Sequence, residues 1–250
     1  MTVRIKFAKY GNLKFLSHLD VMRFFQKAIR RAEIDVKYSE GYHPHQLMSF
    51  AAPLGVGQTS EGEYFDLELE SMGTTDEILE KLDAQMPDGF KILHVSLLPP
   101  TPPQTRKESL MALVKASDYL VLYKGLKELP LTKEEFLCKF SEFVKESEIL
   151  AIKTTKVGDT EINLAPFIYD VKYDVRPTEL TENYDNGLCI YVMLSAGNEN
   201  HIRPELLMKA FHEYLGIEYD QYGYQVHRLE AYAKPENEFI PIFKLHENEV

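Results

Sequence analysis

The chain has 250 residues, a formal net charge of −11 and two cysteines. This length leaves room for two modest domains, each with its own core, and two cysteines exclude a disulfide scaffold as the organising principle. No apolar run approaches the roughly 20 residues that cross a bilayer, and the N-terminal segment MTVRIKF lacks the apolar core of a signal peptide. We therefore expect a cytoplasmic protein that does not enter a membrane.

Charge is distributed unevenly along the sequence. Residues 1–60 hold nine Lys or Arg and four Asp or Glu, a net charge of +5, so the remainder carries −16. A local positive surface on an acidic protein can meet a phosphate backbone, an anionic small molecule or an acidic protein. Because nucleic-acid-binding domains are more often basic overall, the acidic balance weighs against a purely electrostatic RNA binder.

The first half of the chain predicts the element order strand, helix, strand, strand, helix, strand. Its half-buried strands show alternating apolar and polar side chains. Ser17 and Thr74 each precede an acidic residue by three positions, the capping-box pattern of a helix start. This order is that of a ferredoxin-like unit. The predicted strands are 2–8, 36–38, 62–70 and 90–98.

Four prolines within residues 99–103 divide the sequence. Such a stretch cannot occupy a helix or sheet interior and behaves as a stiff spacer. We therefore predict a first domain at 1–98, a Pro-rich linker at 99–108 and a second domain at 109–250.

The second half repeats the order of the first, with a capping box at Thr132 and a helix that begins at Pro204. Residues 158–186 do not fit the repeat and are interpreted as an insertion. The predicted fold class is thus α+β, two tandem ferredoxin-like βαββαβ domains, the second with an insertion. The predicted strands of this half are 117–123, 149–155, 188–194 and 224–232.

The candidate site is a basic helix followed by a polar loop within residues 17–57. The helix has an apolar stripe at three- and four-residue spacing and a row of cations opposite it, a row that on most helices is only a solvated face. The loop at 38–46 is rich in side chains that stack on a base or donate to phosphate, although its aromatics could instead pack on the helix. The candidate substrate-binding residues are Ser17, His18, Arg23, Lys27, Arg30, Arg31, Lys37, Ser39, Tyr42, His43 and His45.

Motifs for metal binding or nucleophilic catalysis are weak. His43 and His45 form an H-x-H pair with no evident third ligand, and Cys138 and Cys189 lie in apolar patterns. P-loop, dinucleotide and G-x-S-x-G patterns are missing. Two separated cysteines cannot supply the four thiolates of an iron–sulfur cluster. We expect no cofactor: neither a cluster, nor cobalamin, nor a structural metal.

Several motifs resemble those of the radical SAM-linked protein family. The resemblance is strong over residues 3–70 and weaker beyond, at 203–205 and 227–228. It implies a domain of unknown function, fused to or encoded beside a radical SAM protein that also has a cobalamin-binding domain. It therefore implies a partner and supplies no activity. The motifs are GNLKFLSHLD at 11–20, AIRRA at 28–32, YSEGYHPH at 38–45, PLGVG at 53–57 and SEGEY at 60–64.

Two hypotheses of different classes follow. The first is an accessory or substrate-presenting partner of the radical SAM protein, which binds RNA or an RNA-bearing substrate through the helix and loop at 17–57. The alternative is a stand-alone, metal-independent endoribonuclease with His18 or His43 as general base, because two ferredoxin-like halves look like the CRISPR repeat-processing enzymes. The C-terminal Gly-rich loop of those enzymes is missing here. The sequence leaves the substrate and the oligomeric state open.

Overall fold

The chain is a mixed α+β protein, as predicted, and in this computed structural model it divides into two compact units. Unit 1 comprises Met1–Lys115 together with the segment from Arg228, and unit 2 is Ala116–His227. The predicted second domain ran to the C-terminus, whereas the contacts place the segment from Arg228 in unit 1. Most of the predicted linker, 101–107, lies outside the described residues. The structure describes residues 1–100, 108–126, 128–155, 158–173, 175–176, 178–184, 188–197 and 200–245.

Unit 1 follows the order strand, helix, strand, strand, helix, strand over its first part, but the second strand is at 48–50 and not at the predicted 36–38, where isolated bridges form instead. Strand β1 pairs antiparallel with β3 and β4, and β2 pairs antiparallel with β3, which gives the order β4-β1-β3-β2. A short helix, α3, comes later in the chain. The bounds are β1 (Thr2–Lys9), α1 (His18–Arg31), β2 (Met48–Phe50), β3 (Thr59–Glu68), α2 (Thr75–Asp83), β4 (Phe90–Leu97) and α3 (Leu110–Leu113).

Alternation along the central strands fixes the two faces of the unit 1 sheet. Val3, Ile5 and Phe7 belong to the hydrophobic core of this unit. The rings of Phe7 and Phe25 meet edge to face with their centroids 4.6 Å apart, so helix α1 covers this face. The apolar row Val3, Ile5 and Phe7 thus packs against α1. This packing places the first turns of the helix beside the last residues of β1.

The three residues predicted to open capping boxes, Ser17, Thr74 and Thr132, each cap a helix. Thr74 and Thr132 form complete capping boxes. Ser17 accepts a hydrogen bond from the backbone N–H of Asp20, and its hydroxyl donates to the Asp20 carboxylate at 2.6 Å. Helix α1 thus begins at His18 with its cap satisfied.

The described part of unit 2 contains two α-helices and most of the remaining strands. Strand β9 pairs antiparallel with β5 and with β8. Strand β10 starts in unit 2 and continues beyond Arg228 in unit 1, where it runs beside β3 and pairs with β11. The bounds are β5 (Ala116–Tyr123), α4 (Lys133–Phe143), β6 (Leu150–Thr155), β7 (Gly158–Asn163), β8 (Ile168–Tyr173), β9 (Cys189–Ser195), α5 (Pro204–Leu215), β10 (Tyr224–Ala233) and β11 (Ile240–Pro241).

The region predicted as an insertion supplies a strand of the sheet. The sequence predicted a strand of the repeat at 149–155 and an insertion at 158–186 whose pairing it left open; in the structure β6 pairs with β7 in a separate hairpin and β8 pairs with β9. Leu150 and Ile152 are about half exposed, whereas Ile168, Val171 and Tyr173 pack on the core. The more apolar strand therefore takes the place beside β9.

Candidate functional site

Helix α1 presents a cationic row to solvent. Arg23, Lys27 and Arg30 are exposed on the side opposite its buried stripe. Within the described part of the chain, none of these three forms a salt bridge. Three like charges on one helix side repel one another, so this surface is favourable for an anion.

The loop at 38–46 is a narrow hairpin whose tip projects into solvent. Tyr38 and Gln46 form an isolated antiparallel bridge. Above it, the backbone N–H of Ser39 donates to the His45 carbonyl at 2.8 Å, and the Ser39 hydroxyl lies 2.8 Å from Nδ1 of His45. Tyr42 at the tip is fully exposed. The loop aromatic is thus available to a ligand and does not pack on α1.

Gln46 holds the base of this loop against α1. Its side-chain amide donates to the backbone carbonyl of Gln26 at 3.2 Å. On a helix of 3.6 residues per turn, Arg23 and Arg30 lie on the same side as Gln26. The base of the loop therefore contacts the side of α1 on which these two cations lie.

The structure does not bring the whole predicted set together. Arg31 lies on the other flank of α1, where its guanidinium donates to the side chain and backbone of Gln85 at 3.3 and 3.4 Å. His18 starts the helix, about 18 Å from Arg30 along the axis. Lys37 is exposed beside the loop, and His43 is exposed within it. Apart from Arg31, the predicted residues thus separate into an exposed basic surface, here called the α1–loop surface (Arg23, Lys27, Arg30, Lys37 and 38–46), and a second group formed by Ser17 and His18.

His18 lines a small pocket between the ends of β1 and α1. Its cavity volume is about 20 Å³. Its polar groups are Lys9, His18 and Glu63, and the rest of the wall is largely apolar. The lining residues are Phe7, Lys9, His18, Val21, Phe50, Ala51, Ala52, Pro53, Leu54, Glu63 and Tyr64. Three segments that carried the family resemblance, around His18, at 53–57 and at 60–64, meet at this pocket.

The negative charge of Glu63 is neutralised by the guanidinium of Arg228. Nε of Arg228 donates to Oε1 of Glu63 at 2.9 Å, its Nη2 bonds the same oxygen, and Nη2 also donates to the Ala52 carbonyl at 3.1 Å. Both side chains are buried. The close approach of β10 to β3 that permits this pair requires glycine at position 62, because a Cβ there would lie 2.6 Å from Cα of Glu230.

Lys9 is the unbalanced charge of the pocket. Its side chain is buried, with 2% exposed, and its ammonium donates to the Leu16 carbonyl at 2.8 Å. In the described part of the chain this is its one hydrogen bond. Burial lowers the pKa of Lys9; the carboxylate of Glu63 raises it, and Arg228 lowers it in turn. Since Arg228 already offsets Glu63, the ammonium of Lys9 has no carboxylate of its own.

His18 lies at the open side of the pocket and is half-buried. Burial lowers the pKa of His18 below its usual 6.5, and Lys9 adds to this effect, while Glu63 opposes it. The imidazole is therefore neutral at pH 7, with one nitrogen able to donate and the other to accept. Its ring meets Phe50 edge-on at 5.4 Å, which fixes its position at the mouth.

Sequence reasoning missed Lys9, Glu63 and Arg228 as site residues. The signal for the first was present, because Lys9 continues the inward series Val3, Ile5 and Phe7 at a period of two. A lysine at a position that should be apolar indicates a special environment. The pairing of Glu63 with Arg228 joins residues 165 positions apart, and no local pattern predicts such a contact.

Metal ligands do not cluster in the part of the chain that the structure describes: no three His, Cys, Asp or Glu side chains come together there. Across the same residues, no helix is both long and apolar enough to span a membrane.

The fold and pocket define an α+β protein whose first unit encloses a buried, cation-containing site. Residues 2–204 match the sequence profile of a family described as "Uncharacterized protein conserved in bacteria (DUF2344)", and the chain belongs to this family. A comparison with curated proteins returns no significant match.

Proposed function

We propose that this chain is an accessory or substrate-presenting partner of a radical SAM protein and binds RNA, or a substrate that bears RNA, through the α1–loop surface. The observation that carries the RNA part is the presence of three exposed cations, Arg23, Lys27 and Arg30, beside a loop whose tip residue Tyr42 is fully exposed. Cations position a phosphate backbone and an exposed aromatic ring stacks on a base.

The partner part of the proposal rests on the resemblance to the radical SAM-linked family. An exposed binding surface suits a substrate-presenting role, because the partner's active site needs access to the bound substrate. An enclosed binding site would not give that access. Copurification from native cells with a tagged chain tests this part. We expect a radical SAM protein with a cobalamin-binding domain among the captured proteins, and its consistent absence would contradict the proposal.

The RNA part is tested by the affinity for a fluorescent single-stranded oligouridylate at low salt. The triple variant Arg23→Ala/Lys27→Ala/Arg30→Ala should bind at least tenfold more weakly than the wild type, because each phosphate contact contributes to affinity. A matched control removes three exposed lysines elsewhere in unit 1: Lys81, Lys91 and Lys115. Equal losses in the two triple variants would show that only net charge matters.

A second candidate function, a metal-independent endoribonuclease, is favoured by one observation. Burial keeps the imidazole of His18 neutral at pH 7, and a neutral imidazole can take a proton from a 2′-hydroxyl as general base. Cleavage of RNA by the purified chain, abolished by His18→Ala and by His43→Ala, would select this function. Binding without turnover would select the accessory role.

For the fold, we infer that each unit is ferredoxin-like. The order β4-β1-β3-β2 in unit 1 supports this inference. In unit 2, the antiparallel neighbours β5, β9 and β8 support it, with the β6–β7 hairpin inserted after α4. An experimental structure of either unit with a different strand order would contradict it.

A further inference from the structure

The pocket at the end of β1 contains a buried positive charge without a matching negative one. Glu63 is paired with Arg228, and the ammonium of Lys9 has a single carbonyl acceptor, the Leu16 oxygen. A lysine ammonium has three N–H donors, so two remain for a ligand. Burying a charge without a partner is costly, and a site that binds an anion recovers that cost on binding.

The dimensions and the lining of the pocket define the anion. A cavity needs about 10–15 Å³ to hold one water-sized atom, so about 20 Å³ accepts one oxygen of a carboxylate, with the rest of the acid towards the opening, but not the four oxygens of a phosphate. The single unbalanced charge also matches a monoanion. Phe50, Ala52 and Leu54 supply an apolar wall, which suits the carbon chain that a carboxylate carries.

We propose that this pocket binds the carboxylate of a small organic acid, with one oxygen on Nζ of Lys9, the neutral ring of His18 at the mouth and the carbon chain against Phe50 and Leu54. Glu63 and Arg228 act as positioning residues, since their bonds hold β3, β10 and the segment at Ala52 around the cavity. This site is separate from the α1–loop surface and does not depend on RNA binding.

The test uses propionate, its neutral isostere propionamide and inorganic phosphate, each titrated into the full chain at constant ionic strength and followed by NMR. We expect saturable shifts of pocket resonances with propionate only. We also expect propionate to raise the pKa of His18, because a nearby anion favours the imidazolium. Propionamide should leave that pKa unchanged. A merely structural lysine would produce neither response.

Variants locate the contact. Lys9→Met should weaken propionate binding by about tenfold or more, as expected for the loss of a charge-assisted hydrogen bond. Lys91→Met, which removes an exposed lysine of β4, should bind like the wild type. The comparison of propionate with propionamide on the wild type needs no variant. It tests whether the pocket binds a carboxylate even if Lys9→Met fails to fold. Absent or equal responses to the two compounds, or displacement of propionate by phosphate at similar concentrations, would overturn the proposal.

Discussion

The ammonium of Lys9 lies 2.8 Å from the carbonyl oxygen of Leu16, and in the described part of the chain it has no other hydrogen bond. Lys6, on the same strand, lies 2.7 Å from the carboxylate of Glu230, which also accepts from the hydroxyl of Tyr64 at 2.5 Å. A carbonyl dipole offsets less of a buried charge than a carboxylate does. Strand β1 thus carries a paired lysine on one face of the sheet and an unbalanced lysine on the other.

Replacing these two lysines should have opposite consequences for stability. Lys9→Met removes a charge that lacks a partner, and should leave the free energy of unfolding unchanged or raise it by about 1 kcal/mol. Lys6→Met leaves the buried carboxylate of Glu230 without its cation and should lower the free energy of unfolding by about 3 kcal/mol. Urea unfolding of both variants measures the difference. An equal loss in the two would mean that Lys9 is as well compensated as Lys6.

The buried pair of Glu63 and Arg228 should show strong coupling. Glu63→Gln or Arg228→Met alone leaves one charge buried and should cost about 3–5 kcal/mol. The double variant removes both charges and should recover part of that loss. A double-mutant cycle by urea unfolding gives the coupling energy. Additive losses would show that the two residues stabilise unit 1 independently.

His212 should make unit 2 sensitive to acid. Nδ1 of this buried ring lies 3.0 Å from the Glu218 carbonyl, which can only accept, so Nδ1 carries the proton and Nε2 accepts from the Tyr224 hydroxyl at 2.8 Å. Burial lowers the pKa of His212, against a smaller raising effect of the Glu218 carbonyl.

The sign of the pH effect follows from that lowered pKa. Below the unfolded-state pKa of about 6.5 the unfolded chain binds a proton that the folded chain resists. The contribution of His212 to the free energy of unfolding is therefore fully present above pH 6.5. It falls as the pH drops towards the folded-state pKa, by no more than about 1.4 kcal/mol per pH unit for one proton. His212→Gln should show a smaller fall between pH 7 and 5 in unfolding experiments. An unchanged slope would exclude His212 as the group responsible.

The local elements of this protein could be predicted from sequence because their signals are local. The caps at Ser17, Thr74 and Thr132 and the left-handed Gly216 after α5 each depend on a few neighbouring residues. The cross-strand pair of Arg4 and Asp66 also follows from alternation and register.

The arrangement of distant segments could not be predicted in this way. Strand β2 has only three residues, Met48–Phe50, too few to show a period. The choice between β6 and β8 as the neighbour of β9 depends on which strand packs better on the core, a property of the assembled unit. The pocket depends on the contact between Arg228 and Glu63, which joins the two chain segments that make up unit 1.

Tyr42 should contribute to RNA affinity through stacking. Tyr42→Ala should weaken oligouridylate binding by about 1–3 kcal/mol without changing its salt dependence, since a stacked ring releases no counterions. Tyr222, an exposed tyrosine of unit 2, provides the matched control as Tyr222→Ala. Equal affinity of the Tyr42 variant and the wild type would remove the loop tip from the interface.

The salt dependence of RNA binding tests the proposed α1–loop surface most directly. The logarithm of the association constant for oligouridylate is measured against the logarithm of salt concentration for the wild type, Arg23→Ala/Lys27→Ala/Arg30→Ala and Lys81→Ala/Lys91→Ala/Lys115→Ala. Each phosphate contact contributes about 0.7 to the slope on a single strand, so the first triple variant should lose about two units of slope and the second almost none. If the wild type and the first variant show the same affinity and the same slope, the cations of α1 are only a solvated surface and the proposed RNA-binding function is wrong.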